Sequence, residues 1–465
     1  MSEETKDRRR LIEAIETRDS ASFHTLVDTL HYADLAEIYE DLTTDERDFF
    51  TTSIDTESFA EIITELPDTL MEETMDRFAP DEQREILDQV SDDDRVDILQ
   101  DVSDDMREQL LELVEPDDIE VTKSLLKFGE HTAGGRMTTH FGSIRAEMNV
   151  KEALKHLRDG SDETESFARI YVVDDKERLS GFIRFRDLVF NLPETNISDI
   201  IRPSEHTILA SADQEVAAKM VSKYDLFVLP VVDELDRILG VITHDDALEI
   251  IEEESTEDME KMAGFSGEGS EETYLNTRTL THFKRRFPWL FGLALLAIAS
   301  GAVMMKFEHV LTDLYILSIF LPMVVAAGGN TGGQASTMVI RAMALGELDQ
   351  GSTMRVMWKE LRLGLMLGSL LGLGMAIITI TIIPSFASIA DKMPPEIGFI
   401  KFAIAIAISL AVQITSSTLV GSLLPIGARA AKIDPAIVAA PAITTIVDVS
   451  GMVIYFFVAK AILGL

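Results

Sequence analysis

Apolar positions in residues 1–130 recur at helical spacing in short runs, such as Glu57–Leu66, Asp81–Val90 and Asp93–Val102. Pro80-Asp81, Ser91-Asp92 and Ser103-Asp104 punctuate them, and Ser and Asp before an apolar run cap the helix that follows. An irregular repeat of 11–14 residues predicts an all-α, superhelical stack of short helices.

The pattern changes at 137–251, where one unit occurs twice. Ile170–Leu188 reads IYVVDDKERLSGFIRFRDL, and Leu229–Ala247, offset by 59, reads LPVVDELDRILGVITHDDA. Val-Val-Asp, Arg178/Arg237, Gly181/Gly240 and Asp187/Asp246 superpose. Each copy predicts strand, turn, strand and a helix opening at the acidic pair. The stretches Val150–Arg158 and Gln214–Lys223 predict a helix before each copy, so the pair is α/β.

From 281 the chain turns apolar, in stretches long enough for a bilayer core of about 30 Å. Five spans are expected, near 287–305, 314–340, 361–385, 399–428 and 435–463. The second is interrupted by Gly328-Gly329-Asn330-Thr331-Gly332-Gly333-Gln334, polar sequence that membrane depth tolerates only against protein or water. Lys284, Arg285 and Arg286, then Arg341, Arg355, Lys359 and Arg362, then Arg429 and Lys432 fall on one side of five alternating spans. The positive-inside rule makes that side cytosolic, with residues 1–280, and puts the loops Lys306–Asp313 and Ala387–Ile397 and the C-terminus outside. MSEETKDRRR has no apolar h-region, so no signal peptide is expected to export the first half. A multi-pass protein of the cell membrane follows, and an odd number of spans makes a homodimer attractive.

Charge sharpens the division. The 465 residues carry 80 acids, 41 bases and a net charge of −39, yet the mean hydropathy is positive. Residues 1–280 hold 71 acids and 28 bases, net −43; residues 281–465 hold 9 and 13, net +4. So acidic a cytosolic half disfavours nucleic acid as partner. The absence of cysteine excludes disulfides, thiolate catalysis and Cys-ligated zinc.

The duplicated unit resembles a pair of CBS domains. An acidic helical domain (1–130), CBS units at 137–195 and 199–251, a connecting helix and linker (245–280) and a five-helix membrane domain (281–465) with GGNTGGQ and DPAIVAAPAITTIVDVSG resemble the MgtE family of magnesium channels. Gly333 stands where that family often has Asn.

Asp448 is the most informative residue, placed in the apolar run Pro441–Val458 as the one well-buried acid expected in the membrane half. A charge at mid-bilayer costs about 2.5–3.5 kcal/mol on insertion scales, so it faces a pathway or a partner. Mg2+ prefers oxygen ligands and sheds water reluctantly. Two copies of Asp448 at a two-fold axis would meet it as a hydrated ion, and the resemblance implies the same role, a selectivity aspartate. Helix gluing by a protonated Asp448 is the structural alternative. Asp434-Pro435 suits a helix start; the resemblance adds an ion site at the cytosolic mouth. Asn330 and Gln334 share a helix face and, with Thr331, are expected to line the pore, while Gly328, Gly329, Gly332 and Gly333 read as packing positions.

DDALEIIEEESTED, 245–258, places Asp246, Glu249 and Glu253, then Glu254, Glu257 and Asp258, at helical spacing, where like charges repel. A solvated face is one reading. The resemblance implies regulatory Mg2+ sites at Asp213, Glu215, Asp225, Asp246, Glu249, Glu254, Glu257 and Asp258, with Glu61, Asp93 and Asp97 opposite, and a connecting helix that plugs the pore. Bound Mg2+ would draw these acids together and close the pore. Thr243 and Asp246 also fit a ribose-binding CBS pattern, so ATP is a second candidate for Asp246; the first copy has Arg184 at the Thr position. Alternatives are transport of Co2+, Ni2+ or Mn2+, an intramembrane aspartyl protease, and a sensor that conducts nothing. An all-oxygen donor set favours Mg2+ over the softer metals, and non-enzymatic transport is the expectation.

Overall fold

The computed structural model describes residues 3–116, 118–160, 166–204, 206–265, 277–348, 350–386, 393–438 and 440–465. Parts of the 260–280 linker and of the Ala387–Ile397 loop lie outside the described residues. The chain forms two compact units, residues 1–254 with 270–277 and residues 255–269 with 278–465.

The first unit opens with ten short helices. They are α1 (Glu3–Thr17), α2 (Ser20–Val27), α3 (Tyr32–Asp41), α4 (Thr44–Ser53) and α5 (Thr56–Ile63), then α6 (Asp68–Met75), α7 (Pro80–Gln89), α8 (Asp92–Asp101), α9 (Asp104–Leu113) and α10 (Ile119–Leu125). Asp55 and Ser91 cap α5 and α8, and Pro80 opens α7. Ser103 instead spends its hydroxyl on Glu72 of α6, at 2.9 Å. Three arginines each reach back eight residues to a carbonyl near the end of the preceding helix: Arg47 to Tyr39, Arg95 to Leu87 and Arg107 to Leu99. Short helices leave many terminal carbonyls unbonded, and these guanidinium groups satisfy them from the next helix. One apolar core, including Phe23, Tyr39, Phe50 and Phe59, runs under the stack.

The duplicated unit forms two matching three-stranded sheets. The first holds β1 (Phe141–Arg145), β2 (Ser166–Val173) and β3 (Leu179–Ile183), with α11 (Val150–Asp159) between β1 and β2 and α12 (Phe185–Phe190) and α13 (Ile197–Ile200) after β3. The second holds β4 (Ile208–Leu209), β5 (Val228–Val232) and β6 (Ile238–Thr243), with α14 (Gln214–Tyr224) inside and α15 (His244–Ala263) following. In each sheet the first pair is parallel and the second antiparallel. The matched residues have matched roles. Asp174 accepts from the backbone of Lys176 and Arg178, and Asp233 from Leu235 and Arg237. The two arginines pair with those aspartates and face each other across the copies. A side chain at Gly181 would strike the Arg202 carbonyl, and one at Gly240 would come within 2.6 Å of the Thr138 carbonyl.

One ion pair is buried within α8, and its carboxylate also reaches the segment that leads into the duplicated unit. Arg95 and Asp92, each 2% exposed, lie 3.1 Å apart. Asp92 also accepts from Thr139, in the segment leading to β1.

The second unit is helical: α16 (Thr279–Lys306), α17 (Glu308–Asp313), α18 (Leu317–Ala344), α19 (Thr353–Thr381), α20 (Gly398–Ala430) and α21 (Ala440–Leu463). Among the described residues four helices, α16, α19, α20 and α21, are long and apolar enough to cross a membrane. α18 is as long as α16, 28 residues, but its glycine-rich polar stretch dilutes its hydropathy. It packs against α20 and α21, as an interior helix should. The fifth expected span starts later than its first residues, because Pro435–Val438 forms a 3-10 turn. Gly364, Gly368 and Gly372 on α19 form a stripe against Thr415, Ala411 and Ala407 of α20. Small residues let the two backbones touch, the packing apolar surroundings favour.

Asp92→Ala removes the buried carboxylate that faces Arg95 and accepts from Thr139, a loss of about 3–5 kcal/mol. The thermal transition of the first unit should move down by several degrees; an unchanged midpoint would show that Asp92 carries no such share of its stability.

Candidate functional site

The first unit gathers acids where α15 meets the helical stack. Thr243 precedes α15 and donates from its backbone to Asp246, 2.9 Å, and from its hydroxyl to Asp246, 2.6 Å. The two candidate nucleotide-contacting groups therefore hold each other at the start of the helix. Burial raises the pKa of Asp246, and Asp245 and Asp94 add to it against the Thr243 bonds. Burial likewise raises Asp94, on α8. Glu249 is pushed up to about 7 by burial, then by Asp246, Glu65, Asp94 and Glu253. Its edge stays in water, which screens part of the effect. Asp97 is also raised by burial, although Arg136 stands beside it.

Arg136 is a cation that the sequence reading missed. It bonds Asp97 at 3.1 Å, Glu253 at 2.7 Å and Gln214 at 3.1 Å, so one guanidinium ties α8, α14 and α15. Gln214 passes the connection to Glu254, 2.8 Å.

Of the three expected residues of the stack, Asp97 lies in this contact and Glu61 and Asp93 stand beside it. Glu61 is exposed, and Asp93 is buried against Ser91. Glu65 and Asp94 are the residues facing α15. In the second copy, Asp213 caps α14, accepting from Glu215 at 2.9 Å. Glu215 pairs with Lys219, and Asp225 ends α14 in a left-handed conformation (φ 50°, ψ 48°). These three carry local structural roles, and no described acid outside α14 bonds to them. Among the described residues, no three acids or histidines stand close enough to form a ready-made metal cage.

In the second unit, Asp448 lies half-buried on α21 beside Gly329 of α18. A side chain on Gly329 would reach within 3.3 Å of the carboxylate. Its Oδ1 is buried and has no hydrogen-bond donor among the described residues. A side chain on Gly328 would strike the Gln413 amide, and one on Gly332 would come within 3.2 Å of Ile443. Asn330 and Gln334 share an exposed face of α18, and Thr331 bonds back to Ala327, 2.9 Å.

A second acid is buried here. Glu360 near the start of α19 is 7% exposed and its Oε2 lacks a donor among the described residues, so Asp448 does not stand alone as expected. In the sequence Glu360 stands one residue before the expected third span, between Lys359 and Arg362, and carries no motif. Gln413, fully buried in α20, was also missed, because a lone amide in an apolar run gives no motif.

At the other end of α21, Asp434 caps the turn at Pro435 by accepting from Ala436, 2.8 Å, and pairs with Lys261 of α15 at 2.9 Å. Lys261 also pairs with Glu257, 2.6 Å. Burial lowers its pKa, but the two carboxylates outweigh that and hold it at about 12. Asp258 is half-buried one residue beyond Glu257. Glu260 pairs with Arg285, and Phe265 packs under Arg286, 5.0 Å from the ring centre. The end of α15 is thereby fastened to α16 and to the mouth of α21.

A family model described as a divalent cation transporter matches residues 321–458, one described as the MgtE intracellular N domain matches 30–131, and one for CBS domains matches 133–194 and 197–253. The magnesium transporter MgtE of Thermus thermophilus is 32% identical over 471 residues, covering 97% of this chain and 98% of that protein. That of Bacillus subtilis is 30% identical over 348 residues, 75% of this chain and 73% of that one. Among solved structures, the soluble part of a magnesium transporter matches with TM-score 0.50 and 28% identity, covering 54% of this chain and 100% of that one. The cytosolic domain of the Mg2+ channel MgtE in complex with ATP matches with TM-score 0.50 and 32% identity, covering 52% and 99%.

Glu249 ionises near 4.5 when unperturbed and near 7 here. Between those values the folded state keeps a proton that the unfolded state has lost. Stability without divalent cations therefore falls as pH rises through this window and levels off above it. Millimolar Mg2+ should flatten the decline in cytosolic melting temperature; equal slopes with and without it would dissociate Glu249 from any cation site.

Proposed function

The chain belongs to the MgtE family of magnesium transporters, and on that premise we propose that it conducts Mg2+ through a pore whose ion site is Asp448, under control of its cytosolic acids. The observation that carries the reading is the buried Asp448 oxygen without a donor. An apolar surrounding does not leave a carboxylate uncompensated, and a dication with its water shell supplies both charge and donors. In a homodimer, two copies of Asp448 would offer a charge of −2, with the exposed Asn330 and Gln334 and the nearby Thr331 along the same pathway.

The cytosolic acids are the proposed sensor. Raised pKa values mark Asp246, Glu249, Asp94 and Asp97 as carboxyls whose charge is under-compensated. Mg2+ among them relieves that repulsion, and the compact arrangement it prefers gains population. Asp213, Glu215, Asp225, Glu254, Glu257 and Asp258 complete the expected set, with Glu61 and Asp93 its outermost members. At low Mg2+ the acids separate, α15 shifts, and Lys261 releases Asp434 at the pore mouth. ATP is a further proposed ligand at Thr243 and Asp246, supported by the ATP complex of the related cytosolic domain. Oxygen-only chemistry favours Mg2+ over Co2+, Ni2+ or Mn2+ as cargo. Residues 1–280 are placed in the cytosol and the C-terminus outside, in the cell membrane.

Purified protein in proteoliposomes should take up Mg2+, and Asp448→Ala should abolish uptake without loss of folded protein. Wild-type uptake by that variant would end the pore assignment, and no uptake by either would favour a non-conducting sensor. Limited proteolysis tests the gate: millimolar Mg2+ should slow cutting at 130–137 and 260–280, and equal rates would refute it.

A further inference from the structure

Gln413 is the polar side chain that joins three helices of the second unit at the level of Asp448. It is 0% exposed at the centre of α20. Its amide lies between two glycines, Gly328 of α18 and Gly451 of α21, and a Cβ on either would clash with its Nε2. Nε2 donates to the Val447 carbonyl at 3.1 Å, while Oε1 finds no donor among the described residues. Two of these contacts are one residue from the proposed ion site. Val447 precedes Asp448, and Gly328 precedes Gly329, the residue against which the Asp448 carboxylate rests.

An amide buried in apolar surroundings costs free energy, more so when one of its atoms is unpaired. Leucine has nearly the same volume and would fill the space without that cost. What leucine lacks is the directed bond to Val447. We infer that Gln413 is a positioning residue: it sets the spacing of α18 and α21 and fixes the Val447–Asp448 backbone, and so decides how closely the carboxylate meets a hydrated ion. A hydrated Mg2+ and the larger, more easily dehydrated Ca2+ differ in the spacing they need. Gln413 thereby contributes to ion discrimination without touching the ion. The inference rests on Asp448 being the ion site.

The test is uptake of Mg2+ with Ca2+ as competitor, in proteoliposomes holding the full-length protein and normalised to folded protein. Gln413→Leu should lower the preference for Mg2+ over Ca2+ by about two- to tenfold, the equivalent of one hydrogen bond. Gly328→Ala, which pushes the amide aside, should lower it likewise. In Gly328→Ala the further change Gln413→Ser removes the clash but not the missing bond, so uptake rate should recover while discrimination stays low. Normal discrimination in folded Gln413→Leu overturns the inference, as does recovery of discrimination in the double variant. Should Gln413→Leu fail to fold, the Gly328→Ala pair decides alone. If Asp448→Ala abolishes uptake but these variants discriminate normally, the inference fails and the pore reading survives. If Asp448→Ala conducts, both fail.

Discussion

A carboxylate held between apolar helices, with one oxygen buried and undonated, is the constraint on which the membrane half depends. Asp448 cannot be there at low cost unless something positive or a proton-donating shell meets it. The helices around it are built to allow that approach. Gly329 lets α18 come within contact of the carboxylate, Gly332 brings α18 against Ile443, and Gly328 leaves room for the Gln413 amide. The same demand accounts for α18, which carries a glycine-rich polar stretch in its middle. It packs inside the unit, and its polar residues Asn330 and Gln334 lie on the face its own chain leaves open.

The first unit solves a related problem with opposite means. Its acids lie in water rather than lipid, but α15 brings Asp246 and Glu249 up against Glu65 and Asp94. Arg136 compensates part of this, bonding Asp97 and Glu253 at once. In the proposed sensor the remainder is left for a mobile cation. A surface that is repulsive alone and cohesive with a dication makes a usable sensor, because the ion has a differential affinity for the two arrangements. Lys261 adds a third device, a tethered cation on Asp434.

Much of the fold was legible. The punctuated helices of the first 130 residues, the duplication at 170 and 229 and the apolar helices each follow from period and from cap or turn residues. Even the matched Asp174/Arg178 and Asp233/Arg237 pairs reflect one turn built twice. Side-chain partnerships between elements were not legible. In a stack of short helices one residue of register separates Asp93 from Asp94, and one helical turn separates Glu61 from Glu65. Arg136 lies in a loop outside any repeat. Gln413 and Glu360 are single polar residues whose meaning comes from helices distant in sequence.

The most direct measurement compares Mg2+ uptake by Asp448→Asn and Asp448→Glu in proteoliposomes under the same gradient. Asn preserves the shape and removes the charge; Glu preserves the charge and moves it by one methylene. The account predicts that Asn is inactive while Glu retains measurable, less discriminating uptake. Wild-type uptake by Asp448→Asn would mean that the buried charge is not what holds the ion.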